Sequence, residues 1–313
     1  MNNIYFLKNT ILAFFLVSLS LSLVSCSLTN TDENDPYISI PDPNFEQALI
    51  ALAIDTEEVL DGRVLRADVE KVKVLDLNIP DGNFEIQNLT GIEGFVNLTT
   101  LKALQHEIEF VDLRSNTLLD TLYLQGNLLQ EIDLTINTNL VDVNLSSNEI
   151  YTIEGLSELN MLKRLDLSWN DMKTFSISNT SIETLFLNLN ELENLDLSNA
   201  ENLKALNITT NHLTDLSISS NTKLETLIIS NNRLQEVDLS HNLELQYLYT
   251  SSNAFTNLDV SHNQKLVDLR VDRNPSLSCI NIEEGQEILT IKKSEYQEIR
   301  SDCGKPQKLS VLH

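Results

Sequence analysis

LDTLYLQGNLL at residues 119–129, LVDVNLSSNEI at 140–150 and LKRLDLSWNDM at 162–172 decide the fold of this chain. Each stretch reads L-x-x-L-x-L-x-x-N, with Val143 in place of one leucine. The first leucines follow one another after 21 and 22 residues. Self-similarity at a fixed period of about 20 to 50 residues is the signature of stacked repeats, so the chain is predicted to form a solenoid.

The same pattern recurs over most of the chain. Nine repeats begin at Leu98, Leu119, Leu140, Leu162, Ile182, Leu203, Leu224, Leu245 and Leu266. The corner asparagines are Asn127, Asn148, Asn170, Asn190, Asn211, Asn232, Asn253 and Asn274, and His106 takes this position in the first repeat. A degenerate earlier turn covers Val72, Leu75 and Leu77. The number of matches at one period excludes coincidence.

The L-x-L core of each repeat predicts a strand. Its two apolar residues point to one face and the residue between them to the other, as a period of two requires. Neighbouring strands pair at about 4.8 Å, so nine or ten turns make a parallel sheet roughly 40 to 45 Å long. The asparagine at each corner is expected to hydrogen-bond backbone groups that turn away from the sheet, because buried polar groups need partners.

The second half of each repeat is patterned as well. Triplets of apolar, acidic and apolar residues recur as VDL at 111–113, IDL at 132–134, LDL at 195–197, VDL at 237–239 and LDV at 258–260. An asparagine follows three residues after these and similar triplets, at Asn116, Asn137, Asn221, Asn242 and Asn263 among others. This pattern predicts a second extended segment on the convex side and leaves little room for helices there.

The repeats, from about Leu98 to Leu277, resemble the leucine-rich repeats of bacterial surface proteins. IEGL at 153–156, in the turn from Leu140 to Met161, is similar to the 22-residue repeats of internalins, as is LTGIEGF at 89–95. The resemblance implies a parallel sheet on a concave face and a cap at each end. It leaves the ligand open, because one fold serves many binding roles.

Segments at both ends of the repeats resemble the caps of such proteins. Residues 41–55 look like a helical amino-terminal cap, with Asp42 placed as the N-cap and Pro43 in the first turn. The apolar residues that share one face of this helix are Phe45, Ala48, Leu49 and Leu52. NPSLSCI at 274–280 resembles the closing cap, with Cys303 as the partner of its cysteine.

The amino-terminal end reads as a targeting segment. Lys8 precedes an apolar run from Ile11 to Val24, which is typical of a secretory signal. The run ends in LVSC at 23–26, which resembles the lipobox of bacterial lipoproteins, so the resemblance implies lipidation of Cys26. An ordinary signal peptide with an incidental cysteine is the alternative. Ser27 after the cysteine favours an outer-membrane destination.

Residues 26–37 are polar and broken by proline, as expected of a flexible tether. Acidic residues at 32, 33 and 35 weakly resemble a surface-export tag, which favours a location on the cell surface. The protein is therefore expected to be lipid-anchored in the outer membrane.

Only three cysteines occur, and lipidation of Cys26 would leave Cys279 and Cys303 as one pair. In an oxidising compartment a disulfide is the default, with two free thiols as the alternative. The closed loop would contain about 25 residues and stabilise the fold by roughly 3 kcal/mol.

The chain is strongly acidic. It has 21 basic and 46 acidic residues and a net charge of −25, and loss of Lys8 with the signal would make this −26. A chain this negative repels phosphate groups, so no nucleic acid partner is expected.

Candidate catalytic and metal sites are scarce. His241 and His262 lie 21 residues apart and would stack on adjacent coils, but two surface histidines are the preferred interpretation over a metal site. A calcium loop over 55–68 fails because Val59 would occupy a ligand position. No nucleophile–base arrangement or glycine-rich phosphate loop stands out. We expect no cofactor, no metal site and no enzymatic activity.

The residues beside the inward leucines are the informative surface. They form a central column that reads Lys102, Tyr123, Asn144, Asp166, Phe186, Asn207, Ile228, Tyr249 and Arg270, with Trp169, Leu189 and Tyr247 beside it. Exposed aromatic and arginine residues are typical of interface hot spots. From Tyr123 to Arg270 this surface is therefore predicted to bind a protein or peptide partner, and scattered, solvated apolar residues are the alternative.

The sequence thus predicts a membrane-anchored cell-surface binding module, with a structural component of the envelope as the second hypothesis. The predicted parts are a signal peptide at 1–25, a tether at 26–37, an amino-terminal cap at 38–71, repeats at 72–277, and a carboxy-terminal cap and tail at 278–313.

Overall fold

A computed structural model describes residues 35–79 and 85–303. The predicted signal peptide, most of the tether with Cys26, and the tail after Cys303 lie outside the described residues. The described residues from Pro36 onward belong to one compact unit, which holds the repeats. None of the helices in the described ranges has the length and apolar character needed to cross a membrane.

The amino-terminal cap combines a two-stranded antiparallel sheet with two helices. Its elements are β1 (Tyr37–Ser39), α1 (Pro43–Ala51), β2 (Arg63–Leu65) and α2 (Arg66–Val69), and β1 pairs antiparallel with β2. Phe45, Ala48 and Leu49 of α1 are buried as predicted. Leu52 is not, because α1 ends before it and the residue is 37% exposed at the C-cap.

Asp42 fastens this cap to the repeats. One carboxylate oxygen accepts hydrogen bonds from the backbone N–H groups of Asn44 and Phe45, at 2.8 and 3.2 Å, and so caps α1 as predicted. The other oxygen accepts from the backbone N–H groups of Gln87 and Asn88, at 2.7 and 2.8 Å. A buried carboxylate with four donors is well compensated for its desolvation.

The repeats form one parallel sheet of eleven strands, called the long sheet below. Its strands in spatial order are β3 (Val74–Asp76), β4 (Thr100–Lys102), β5 (Thr121–Tyr123), β7 (Asp142–Asn144), β9 (Arg164–Asp166), β11 (Thr184–Phe186), β13 (Ala205–Asn207), β14 (Thr226–Ile228), β15 (Tyr247–Tyr249), β17 (Asp268–Arg270) and β19 (Thr290–Lys292). This is the face predicted to be concave. All nine first residues of the repeats are at most 2% exposed, which confirms the predicted period.

The other side of each coil is extended, as predicted. Three short parallel ladders lie there: β6 (Glu131–Asp133) with β8 (Thr152–Glu154), β10 (Thr174–Ser176) with β12 (Asn194–Asp196), and β16 (Leu258–Asp259) with β18 (Cys279–Asn281) and β20 (Glu298–Arg300). In the described residues the only helical segment after the cap is a short 3₁₀ turn at Ile92–Gly94.

Gly155 marks the repeat of 22 residues. It has a φ of +85°, and a Cβ at this position would collide with the backbone of Thr135 in the preceding coil. The close approach explains why glycine stands in the triplet where other repeats carry leucine or isoleucine.

The corner asparagines act as predicted. The side-chain amide of Asn170 donates to the carbonyl oxygens of Leu145 and Leu167, at 3.0 and 3.1 Å. Its Oδ1 accepts from the backbone N–H of Ile150 at 2.8 Å. Equivalent bonds repeat at each corner from Asn127 to Asn253, so every coil is tied to its neighbour.

The solenoid continues beyond the predicted end of the repeats at 277. Strand β19 adds to the long sheet and β20 adds to the opposite ladder. Cys279 in β18 is joined to Cys303 by the predicted disulfide, with Cα atoms 5.7 Å apart and a separation of 24 positions in sequence.

Candidate functional site

The predicted central column exists as a row of strand ends on the long sheet. Each column residue is the last residue of its strand, and parallel pairing places Tyr123 beside Asn144, Asn144 beside Asp166, and Asp166 beside Phe186. The row continues in register through Asn207, Ile228, Tyr249 and Arg270. Strands spaced at about 4.8 Å thus present a continuous row of solvent-facing side chains.

A second column stands three residues further along each repeat, where the backbone is left-handed. Trp169 and Leu189 each have a φ of +57°, and Ser147 has +56°. Bulky side chains rarely adopt this conformation, since it costs roughly 1 to 2 kcal/mol per residue. The repeat therefore imposes strain on Trp169, which is nonetheless 58% exposed. The same conformation recurs at Gln105, Thr210, Ser252 and Arg273, so it belongs to the repeat, and Trp169 is distinguished by placing a large, exposed aromatic ring at this position.

Trp169 borders a cavity of about 380 Å³ on the long sheet. The cavity is lined by Ser146, Ser147, Arg164, Asp166, Ser168, Trp169, Phe186 and Asn188. Three residues predicted from the sequence, Asp166, Trp169 and Phe186, are thus brought together around one depression. Leu189 follows Asn188, and Asn144 lies next to Asp166 on the neighbouring strand.

Arg164 holds this cavity in shape. Its guanidinium pairs with Asp142 at 3.4 Å and with Asp166 at 3.2 Å. The same group lies 5.1 Å from the ring centre of Phe186, within cation–π range. Because the guanidinium is planar and contacts three neighbours, it fixes the positions of Asp166 and Phe186.

Asparagine amide groups point into the same face. Asn144 Oδ1 accepts from the backbone N–H and the hydroxyl of Ser146, at 3.0 and 2.8 Å. Asn188 Oδ1 accepts from the hydroxyl of Ser168 at 2.7 Å, and Asn207 Oδ1 is held by a turn like that of Asn144. Within the described ranges their Nδ2 groups donate to no protein acceptor. They remain available to donate to carbonyl oxygens of a ligand.

A second group of predicted residues lies further along the sheet. The Arg270 guanidinium stacks 4.1 Å from the ring centre of Tyr249 and pairs with Asp268 at 3.0 Å. The Tyr249 hydroxyl donates to Asp268 at 2.9 Å. Burial and this carboxylate raise the pKa of Tyr249. Tyr247 stands on the same strand and is 40% exposed.

The same hydrogen-bonded pairing occurs near the other end of the sheet. The Tyr123 hydroxyl donates to Asp142 at 2.7 Å, and this bond, with burial, raises the pKa of Tyr123. Both tyrosines are thereby held as neutral donors whose rings face solvent.

The sequence predicted a single surface from Tyr123 to Arg270, with Asp166 and Arg270 flanking its aromatic residues, and the structure divides it into two groups. Asp166 and Arg270 lie five strand steps apart, which corresponds to roughly 24 Å. Asn207 and Ile228 occupy the strands between Phe186 and Tyr249. A partner that contacts both groups must therefore extend along the sheet.

Charges on the long sheet are paired with one another. The ion pairs join Lys102 to Asp76, Arg164 to Asp142 and Asp166, Arg270 to Asp268, and both Arg273 and Lys292 to Asp272. This face is close to neutral although the chain carries a net charge of −25. The excess negative charge lies on the remaining surface, which leaves the aromatic residues of the long sheet without a repulsive field.

Sequence reasoning missed four residues of the site: Asp142, Arg164, Asn188 and Asp268. Asp142, Arg164 and Asp268 are the first residues of their strands and stand on the same face as the column residue two positions later. Asn188 lies two residues after Phe186. Each of the four lies two positions before or after a column residue, so the strand period of two predicts that it stands on the same face.

The two histidines considered as metal ligands lie on the surface. His241 and His262 are exposed, and their Nδ1 atoms lie 3.0 and 3.4 Å from the hydroxyls of the serines before them. The described residues contain no group of three or more histidine, cysteine or acidic side chains placed to hold a metal ion. Val59, at the failed position of the calcium loop, is 54% exposed.

The fold and the asparagine ladders define a leucine-rich-repeat protein of about ten turns. No protein-family model matches the chain. Its structure is similar to the functional domain of InlJ from Listeria monocytogenes, with a TM-score of 0.61 and 24% identity over 84% of this chain and 63% of that one. It is also similar to the plant peptide hormone receptor RGFR1 in complex with RGF2, with a TM-score of 0.58 and 20% identity over 74% of this chain and 41% of that one.

The sequence is similar to lumican from Mus musculus, with 31% identity over 147 residues. The match covers 37% of this chain and spans 43% of the length of lumican. The likenesses to solved structures, at 20 to 24% identity, show the fold alone.

Proposed function

We propose that the protein is a cell-surface binding module that recognises a protein or peptide partner through the long sheet. The observation that carries this proposal is the cavity of about 380 Å³ beside Trp169, an exposed tryptophan that the repeat holds in a strained conformation. Exposed aromatics that a rigid backbone holds in place bind with little loss of entropy.

The chemistry of the site favours a partner with an extended segment. The free amide donors of Asn144, Asn188 and Asn207 recur on successive or nearby strands and suit a row of peptide carbonyls. Apolar side chains of such a segment would pack on Trp169 and Phe186. A plant peptide hormone receptor solved in complex with RGF2 has the same fold, which supports a peptide ligand.

The proposed location follows from the lipobox-like LVSC at 23–26. A diacylated Cys26 would anchor the chain stably, because two acyl chains suffice where one is marginal. The tether at 26–37 would then lift the solenoid away from the outer membrane. Nucleic acid remains an unexpected partner on grounds of charge, and the absence of enzymatic activity remains a prediction.

The test is a pull-down from surface extracts with residues 38–313, compared with a Trp169→Ala, Phe186→Ala double variant. We expect the parent to capture a protein that the folded double variant fails to retain, with a loss of about 2 kcal/mol or more in binding free energy. Equal capture by both proteins would place the binding site elsewhere. Circular dichroism spectra that match between them provide the control for folding.

A second candidate function is a structural role in the envelope, and the open edge of β19 favours it. Leu289, next to this strand, is 81% exposed, and the outer edge of the strand pairs with no other strand of the described chain. Unpaired edges are templates for association between chains. Analytical ultracentrifugation distinguishes the two functions: self-association that Leu289→Lys abolishes supports the structural role, whereas a monomer up to about 100 μM supports the binding module.

A further inference from the structure

A second surface, away from the long sheet, combines exposed apolar side chains with unpaired carboxylates. We call it the Phe110 patch, and it consists of Glu109, Phe110, Leu128, Glu131, Glu149 and Tyr151. Phe110, Tyr151 and Leu128 are 64%, 56% and 39% exposed. Apolar side chains grouped in this way on neighbouring coils differ from the scattered ones that any surface carries.

Two adjoining cavities make this patch a groove. One has a volume of about 490 Å³ and is lined by the patch residues. The other, of about 260 Å³, lies on the far side of Phe110 and Glu131, which line both. It opens between Val111 and Ile132, because the segment at 110–114 is not paired with β6 in the way that β6 is paired with β8. The missing strand pairing thus leaves Val111 and Ile132, which are otherwise buried, lining this cavity.

The charge around this groove is almost all negative. The acidic residues that line the two cavities are Glu109, Asp112, Glu131, Asp133, Glu149 and Glu154, and the single basic residue among the lining residues, Arg114, is paired with Asp112 at 2.5 Å. Glu109, Glu131 and Glu149 have no cationic partner among the described residues, and Glu149 accepts a hydrogen bond from the side-chain amide of Gln130 at 3.1 Å. The long sheet pairs its carboxylates with cations, whereas these three carboxylates can still pair with the cations of a partner.

We propose that the Phe110 patch docks a basic, amphipathic segment of a protein partner. An aliphatic or aromatic side chain of that segment enters the groove beside Phe110, and lysine or arginine side chains on either side pair with Glu131 and Glu149. Apolar burial supplies affinity, and complementary charge supplies orientation and rate of association. This proposal does not depend on the proposed function of the long sheet.

The probe is a fluorescein-labelled decapeptide of alternating lysine and leucine, and a decapeptide of alternating lysine and serine reports charge alone. Fluorescence anisotropy with the full chain in detergent gives both affinities. We expect the lysine–leucine peptide to bind at least about tenfold more tightly. Phe110→Ser with Tyr151→Ser should remove this advantage and leave the lysine–serine affinity unchanged.

Matched variants decide where the peptide binds. Leu60→Ser with Leu243→Ser removes two comparably exposed apolar side chains elsewhere, at 55% and 53% exposure, and should change the affinity by less than about twofold. The proposal is overturned if the Phe110 and Tyr151 variant binds the lysine–leucine peptide as the parent does, or if no binding occurs up to about 1 mM. Loss of binding in the Trp169 and Phe186 variant alone would also overturn it, since the peptide would then occupy the long sheet.

Discussion

At the scale of single residues, Trp169 is exposed on the long sheet and has a backbone conformation that costs free energy of folding. The left-handed conformation at this point of the repeat suits glycine or asparagine, and Gly126 and Asn231 occupy it in other repeats. Trp169 and Leu189 occupy it at a cost in backbone energy, and the Trp169 side chain is 58% exposed. Residues retained against stability are typical of functional surfaces.

Replacing Trp169 with asparagine should therefore stabilise the fold and weaken binding. We expect the free energy of unfolding to rise by about 1 kcal/mol, because asparagine adopts the left-handed region readily. Urea denaturation of both proteins measures this difference. Ser147→Asn, at the same position of the preceding repeat, is the control and should give a smaller gain. A destabilised Trp169→Asn variant would show that the ring packs against the core.

Asp55 is the second informative residue. It is 1% exposed, its Oδ1 accepts from the backbone N–H of Glu57, and its Oδ2 is buried with no hydrogen-bond partner. Burial raises the pKa of this carboxyl group, and nearby Glu46 adds to the effect. A raised folded pKa means that the folded chain binds the proton more tightly than the unfolded chain does.

The ionised form of Asp55 thus destabilises the fold at neutral pH, and protonation relieves this as the pH falls through the folded pKa. Asp55→Asn should be more stable than the parent at pH 7, and the difference should shrink toward pH 4. Thermal unfolding across this pH range is the measurement. A difference that stays constant with pH, or a less stable variant at pH 7, would show that the carboxylate has a compensating partner.

At the scale of elements, two rows of asparagines join neighbouring coils, one on the long-sheet side and one on the opposite side. The first row uses all its hydrogen-bonding groups and the second does not. Asn170 uses its amide and its Oδ1, as do the other corners of the long-sheet side. Asn242, on the opposite side, donates to the carbonyls of Ile218 and Asn221, but its buried Oδ1 accepts nothing from the protein. Removing an asparagine side chain on the long-sheet side therefore leaves more buried backbone groups without a hydrogen bond than removing one on the opposite side does.

Asn170→Ala should accordingly destabilise the fold more than Asn242→Ala. We expect roughly 3 kcal/mol or more for the first and about 1 to 2 kcal/mol for the second, since each orphaned buried group costs about 1 to 3 kcal/mol. Asn139→Ala, which removes an exposed bond to Thr117, is the control, with about 0.5 kcal/mol expected. Urea denaturation ranks the three, and equal losses would contradict the difference between the two rows.

Most of the fold was predictable at this scale because the same sequence pattern recurs in nine repeats. The inward leucines, the corner asparagines and the disulfide follow from period and residue type, and the structure confirms them. The antiparallel pairing of β1 with β2 was not predicted, because it occurs once and joins residues far apart in sequence. The exposure of Leu52 was missed for a related reason, since a helix end is set by a single turn.

The site was predictable only in part. Strand period places Tyr123, Phe186 and Tyr249 in one column, and that placement is confirmed. The division into two groups could not be read from the column, because it depends on how far Arg164 and Arg270 reach across neighbouring strands. Side-chain conformation decides such contacts, and the sequence pattern does not encode it.

At the scale of the whole molecule, the proposed anchor makes a prediction about location. Cys26→Ser should abolish incorporation of an alkyne-labelled fatty acid, because a thioether-linked lipid needs the thiol. Cys279→Ser with Cys303→Ser should leave labelling unchanged and serves as the control. A parent chain that takes up no label, or a Cys26→Ser chain labelled as strongly as the parent, would contradict the anchor.

The distribution of charge gives the molecule two different faces. The long sheet is nearly neutral and aromatic, and the rest of the surface is acidic, so we assign partner recognition mainly to the sheet and solubility to most of the rest. The most direct test is photo-cross-linking in cells, with a benzophenone amino acid in place of Asn207 on the long sheet or of Ser217 on the opposite side of the same coil. We expect a covalent adduct with a discrete protein from position 207 and none from position 217. The same adduct from both positions, or from 217 alone, would contradict it.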